Sequence, residues 1–133
     1  MSAMTSYIRA LFYFASLYDG FLGIVFVIAP AWVLETVGVP VPYHVGFIQF
    51  PAALLIVFAI MFFVVAKRPV ENRNLIPYGI MLKVSYCAVI FPYWIVGRMT
   101  IIWKPFAIAD LVFAVLFWLA YLELGERLPV STQ

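Results

Sequence analysis

The sequence predicts an all-α protein: a four-transmembrane-helix antiparallel bundle, both termini cytoplasmic, with residues 1–133 forming a single integral membrane domain. Three observations carry this expectation. The chain is 67% hydrophobic and 11% charged, with a mean hydropathy of +1.10. A soluble domain carries roughly 25% charged residues, so this one lacks a surface to show water and needs lipid around it. Four apolar segments, at about 8–29, 45–66, 75–96 and 105–124, are each long enough to cross roughly 30 Å of hydrocarbon at 1.5 Å per residue. Lysine and arginine, finally, are unevenly divided between the connections.

The first span follows Arg9 and contains "SLYDGFLG". A cleaved leader would need a shorter apolar run without Asp19, and Pro30 beside the candidate cut disfavours cleavage, so the segment is read as retained. Gly20 and Gly23 mark a place where another helix can come close. "PAWVLETVGVPVPYH" then has a proline start, an apolar turn and a stop at Gly38, which suits a short helix lying in the interface.

The second span carries Gln49 and Pro51, and the third Pro77 and Pro92. Pro77 falls in a first turn, where its missing N–H is harmless. Pro51 and Pro92 each leave a carbonyl four residues upstream without its donor and are expected to bend their helices. Each span must be helical, because no partner strands exist to close a barrel and backbone groups in lipid need internal partners. Short connections make consecutive helices antiparallel neighbours.

Between the second and third spans, "KRPVENRN" holds Lys67, Arg68 and Arg73; Arg9 and Arg127 belong to the same side, against Arg98 and Lys104 opposite. The excess places the termini in the cytoplasm, with a bacterial inner membrane as the expected location. On the other side Trp32, Tyr43, Tyr93, Trp94 and Trp103 form an aromatic belt at headgroup level. The alternative is that the two apolar outer connections roof a cavity.

Three charges interrupt the spans: Asp19, Lys83 in "GIMLKVSYCAVIFPYW" and Asp110 in "AIADLVF". Counted from the cytoplasmic boundary, they lie at depths of ~17, ~12 and ~21 Å respectively. A lone charge at mid-membrane costs about 2.5–3.5 kcal/mol on insertion scales, so the three should face inward and compensate one another. The simplest arrangement pairs Lys83 with Asp19. Asp110 is then left protonated, or bonded to tyrosine hydroxyls, Gln49, Arg98 or water.

Helical spacing assembles the rest of the interior. Phe12, Ser16, Asp19, Gly23 and Phe26 share one face of the first span; Gly79, Lys83, Tyr86, Cys87, Ile90 and Trp94 one of the third; Phe106, Asp110, Phe113, Phe117 and Tyr121 one of the fourth. An apolar, aromatic interior with few convergent polar groups suits a small amphipathic ligand. The candidate binding set is Asp19, Lys83, Asp110, Gln49, Tyr86 and Trp94. The competing reading makes the ion pair a device for helix register, with aromatics filling the core.

A net charge of +2 without a basic tract gives no nucleic-acid signature. Cys87 is the single cysteine and His44 the single histidine, which leaves no ligand set for a metal or a bis-histidine haem. No nucleophile–base set, phosphate loop or metal motif is present, so no catalytic residue and no cofactor are assigned.

"LYDGFLGIVFVIAP", "NRNLIPYGIMLKVSY" and "FAIADLVFAVLF", with the short interfacial segment after the first, resemble the small four-helix membrane proteins of the DoxX-like and EXPERA-like type. The resemblance covers nearly the whole chain and lies in layout. It implies a four-helix bundle, often dimeric, with a cavity between helices. In EXPERA proteins acids face an amine ligand or a developing carbocation, and Asp19 and Asp110 would be the matching acids. Lys83 departs from that pattern by competing with a cationic ligand. DoxX-like proteins are commonly accessory subunits of oxidoreductase systems. The leading expectation is binding of a lipid or small lipophilic ligand; the alternatives are an accessory subunit of a larger complex, and a proton or ion relay.

Overall fold

The computed structural model describes residues 3–126, so Arg127, counted above among the cytoplasmic charges, lies outside the described residues. The elements are α1 (Ala3–Ile28), α2 (Pro30–Thr36), α3 (Gly46–Lys67), a 3₁₀ turn (Arg73–Leu75), α4 (Ile76–Ile95) and α5 (Trp103–Gly125). No strand occurs among the described residues. All but α2 and the turn are long and apolar enough to cross a membrane, which makes the chain a multi-pass integral membrane protein. Boundaries fall within a few residues of those read from hydropathy. The largest difference is at the start of α1, which extends back past Arg9 as far as Ala3.

Local signals account for the breaks. Pro30 opens α2 at a position where its missing N–H is not needed. The helix closes on Gly38 at φ 77°, where Val39 N–H donates to the Leu34 carbonyl and Gly38 N–H to that of Glu35. α4 ends the same way on Gly97, also at φ 77°, with Arg98 N–H on the Tyr93 carbonyl and Gly97 N–H on that of Trp94. Both are left-handed glycine caps that satisfy carbonyls at a helix end. α3 and α4 run on through Pro51 and Pro92. Pro51 lies near the start of α3 and Pro92 near the end of α4, where one lost bond is most easily absorbed.

The helices associate as two tight pairs, α1 with α3 and α4 with α5. Gly23 shows why α1 and α3 come so close. A Cβ on it would stand 2.7 Å from the Ala52 carbonyl oxygen and from Ile56 Cγ1. Ser16 Oγ donates to the Ala59 carbonyl at 2.7 Å across the same seam. The two pairs meet at one end of the bundle through a core of Ile8, Phe12, Phe62, Val65, Ile76, Phe117 and Leu124. Phe117 is its hub, with its ring centroid 4.6 Å from Phe12 and 5.1 Å from Phe62. Gly79 of α4 receives the edge of Phe62, and any Cβ there would collide with that ring.

Two arginines lock the register of this packed end. Arg9 Nε of α1 donates to the Ala66 carbonyl at the end of α3, at 3.0 Å. Arg73 Nε donates to the Tyr121 carbonyl of α5 at 2.8 Å, and its guanidinium lies 3.7 Å from the centre of the Tyr121 ring. Each places a cation against carbonyls near the C-terminus of a helix, where the backbone dipole is negative.

Candidate functional site

Above the phenylalanine core the chain places its three intramembrane charges together. Lys83 Nζ donates to Asp19 Oδ1 at 2.8 Å, to Asp19 Oδ2 at 2.9 Å and to Asp110 Oδ1 at 3.1 Å. Lys83 and Asp19 are each 1% exposed and Asp110 is 9% exposed. Asp110 is therefore not isolated: it shares the lysine with Asp19.

The unequal depths expected for the three groups disappear in the structure because the arginine contacts, not the span boundaries, set the level of each helix. Asp19 stands about ten residues from Arg9, Lys83 about ten from Arg73, and Asp110 about eleven from Tyr121, so all three lie ~15–17 Å from one layer of arginine contacts. Aromatic faces complete the seat of the ammonium. It lies 4.9 Å from the Phe113 ring centre, 5.4 Å from that of Tyr18 and 5.8 Å from that of Phe62.

Asp19 and Asp110, held together by the buried Lys83, form the floor of a cavity of ≈ 560 Å³ between the two helix pairs. All four long helices contribute wall residues: Tyr18, Asp19, Leu22 and Phe26 from α1; Ile48, Pro51, Ala52 and Leu55 from α3; Leu82, Ser85, Tyr86 and Ile90 from α4; Trp103, Phe106 and Asp110 from α5. This volume lies within the usual range for small-molecule sites, as does the composition, mostly apolar with a few polar groups. Tyr86 is fixed by donating its hydroxyl to the Trp103 carbonyl at 3.1 Å. Cys87 lies buried behind the wall, its thiol 3.4 Å from the Ala107 carbonyl.

Of the six residues expected at the site, Asp19, Asp110 and Tyr86 line the cavity, Lys83 holds the two acids without lining it, and Gln49 and Trp94 lie outside it. Gln49 Nε2 donates at 2.9 Å to the Val27 carbonyl near the end of α1, so its amide ties two helix ends together. Trp94 stacks on Phe91 and carries the Lys104 ammonium 5.3 Å over its ring. Trp103, which opens α5, is a half-buried wall residue beside Phe26. Tyr18 was missed, although its place next to Asp19 in sequence puts it beside the same seat. Among the described residues no group of histidines, cysteines and carboxylates could hold a metal ion.

What the fold and site define is a helical membrane protein with a charged, buried seat beneath an apolar cavity. Comparison of the chain with family models, curated proteins and solved structures finds no match to any of them.

Proposed function

We propose that this protein binds a small lipophilic or amphipathic molecule within the membrane, in the cavity between its two helix pairs. The observation that carries the reading is the ≈ 560 Å³ hollow floored by Asp19 and Asp110, the two acids that share Lys83. A pair used only for register would sit in a filled interior, as the phenylalanines do a turn or two away. The reading includes an antiparallel bundle with both termini in the cytoplasm of a bacterial cell. It is supported by the core, which joins the first half of α1 and of α4 to the second half of α3 and of α5.

Native mass spectrometry of protein extracted gently from its own membrane tests the proposal. A stoichiometric small molecule that disappears in Leu55→Trp, a substitution that fills the hollow, supports binding. A clean apo mass would sink it.

A second reading, an accessory subunit of a larger complex or a homodimer, draws on a separate groove between α1 and α5. There Ala10 and Ala109, flanked by Phe14 and Val112, leave a furrow of ≈ 550 Å³ on the lipid-facing side. Small residues of this kind let a neighbouring transmembrane helix come close. Retention of protein subunits in the same mass spectrum, and their loss in Ala109→Leu, would favour it.

A further inference from the structure

The way the triad is hydrogen-bonded narrows the ligand. A lysine ammonium has three N–H donors and no acceptor. In this chain all three contacts are supplied by protein oxygens, two from Asp19 and one from Asp110. Lys83 therefore has nothing left to offer a ligand. Asp19 is sealed, with both oxygens engaged. Asp110 uses only Oδ1; Oδ2 accepts no hydrogen bond from the described residues, and it is not closed off, since no buried side-chain oxygen lacks a partner. Asp110 is a cavity-wall residue, so this oxygen is the acceptor that the charged floor presents to the hollow.

Charge decides between donors. A ligand cation on Asp110 Oδ2 would stand close to the Lys83 ammonium, which already lies 3.1 Å from the other oxygen of the same carboxylate. That repulsion offsets much of what a cation would gain from the second acid on one lysine, and the cation would also have to shed its water. A neutral hydroxyl gives the carboxylate its missing hydrogen bond without that repulsion, and a hydrogen bond to an ionised acceptor is among the stronger kinds.

The walls indicate the route in. Between α1 and α5 the cavity is closed by aromatic contacts along its height: Tyr18 with Phe113 at 5.4 Å and with Phe106 at 6.3 Å, and Phe26 with Trp103 at 6.3 Å. Between α3 and α4 the closing contact is Phe62 against Gly79, below the triad. Above it, Phe47 and Leu54 of α3 and Ser85 and Val89 of α4 line the cavity and are also exposed on the outside of the bundle. That side is a window onto the acyl chains.

We propose that the cavity takes a neutral, hydroxyl-headed amphiphile from the bilayer through the α3–α4 window, and that the hydroxyl donates to Asp110 Oδ2. The inference rests on the binding reading above and deepens it.

The test uses the full chain with Trp32, Trp94 and Trp118 changed to Phe, leaving Trp103 in the cavity wall as the reporter, in phosphatidylcholine vesicles. The probes are a long-chain alcohol brominated at mid-chain, which quenches indole fluorescence, and its methyl ether, which lacks only the donor. The alcohol is expected to quench Trp103 saturably, with half-saturation at a mole fraction about tenfold lower than for the ether. Asp110→Leu, which keeps the Lys83–Asp19 pair, should erase the difference. Val89→Phe in the window should slow quenching several-fold, whereas Val112→Phe on α5 should not. Equal saturable quenching by both probes would overturn the hydroxyl requirement and leave binding standing. Quenching that only rises in proportion to bulk probe would overturn both. An unchanged rate in Val89→Phe would overturn the window.

Discussion

Lys83 reaches Asp110 only with the donor it has left after Asp19: two contacts, at 2.8 and 2.9 Å, tie it to α1, and a third, at 3.1 Å, ties it to α5. One cation thus joins a residue from each of the two helix pairs at the level where direct packing between the pairs gives way to the hollow. Removing it should therefore be worse than removing either acid.

Lys83→Met would leave two carboxylates buried without compensation, and breaking a buried pair in this way costs about 3–5 kcal/mol. Chemical denaturation in detergent should show a loss of that order, whereas Asp110→Leu, which leaves one cation facing one acid, should lose clearly less. The triple change Asp19→Leu, Lys83→Met, Asp110→Leu should recover most of the stability. Equal stability of Lys83→Met and the native chain would remove the triad from any account of the fold.

The two glycines of the α1–α3 seam should separate. A Cβ on Gly20 meets Ala59 Cβ at an ordinary 3.4 Å, whereas one on Gly23 runs into the Ala52 carbonyl at 2.7 Å. Gly20→Ala should be neutral or should gain up to about 1 kcal/mol from helix propensity. Gly23→Ala should lose roughly 1–3 kcal/mol through overpacking. Thermal unfolding of the pair, side by side, checks the contrast; an equal response would mean the helices do not touch there.

Phe117 stands at the centre of the packed end, fully buried and in contact with Phe12, Phe62 and Phe113. Phe117→Ala should lower stability by about 3–5 kcal/mol. Phe47→Ala, at an exposed ring on the cavity rim, should change it by less than about 0.5 kcal/mol.

Arginine roles in the central connection should divide in the same manner. Arg73 combines a hydrogen bond to the Tyr121 carbonyl with a stacked guanidinium, and Arg73→Ala should lose about 1–2 kcal/mol. Arg68 pairs with Glu71 at 3.0 Å in the open, where such pairs contribute about 0–1 kcal/mol, so Arg68→Ala should pass almost unnoticed.

The proposed orientation has its own check. In a Cys87→Ser background, a membrane-impermeant thiol reagent applied to intact cells should label Thr100→Cys and spare Glu71→Cys. The reverse pattern would invert the bundle.

Much of this was legible because lipid simplifies the reading. The faces drawn at helical spacing are the buried or half-buried ones: Phe12, Ser16, Asp19, Gly23 and Phe26 on α1, and Phe106, Asp110, Phe113, Phe117 and Tyr121 on α5. On α4, Gly79, Lys83 and Cys87 are buried and Tyr86, Ile90 and Trp94 half-buried. What pattern alone missed was relative height. Whether Asp110 meets Lys83 depends on how far α5 slides against α4, and that is set by Arg73 on the Tyr121 carbonyl, a contact between residues 48 apart in sequence. Gln49 was misread for a related reason. A polar side chain near a helix end serves a carbonyl of the neighbouring helix as readily as a ligand, and periodicity does not distinguish the two.

The stack of Phe12, Phe62 and Phe117 has one more consequence. With those rings shut across one half of the bundle, the hollow is a cup and not a tube. On the binding reading proposed above, a ligand must leave by the window it came in through, so its exchange is with a single leaflet. A molecule inverted in the opposite leaflet would first have to flip across the bilayer before this protein could meet it.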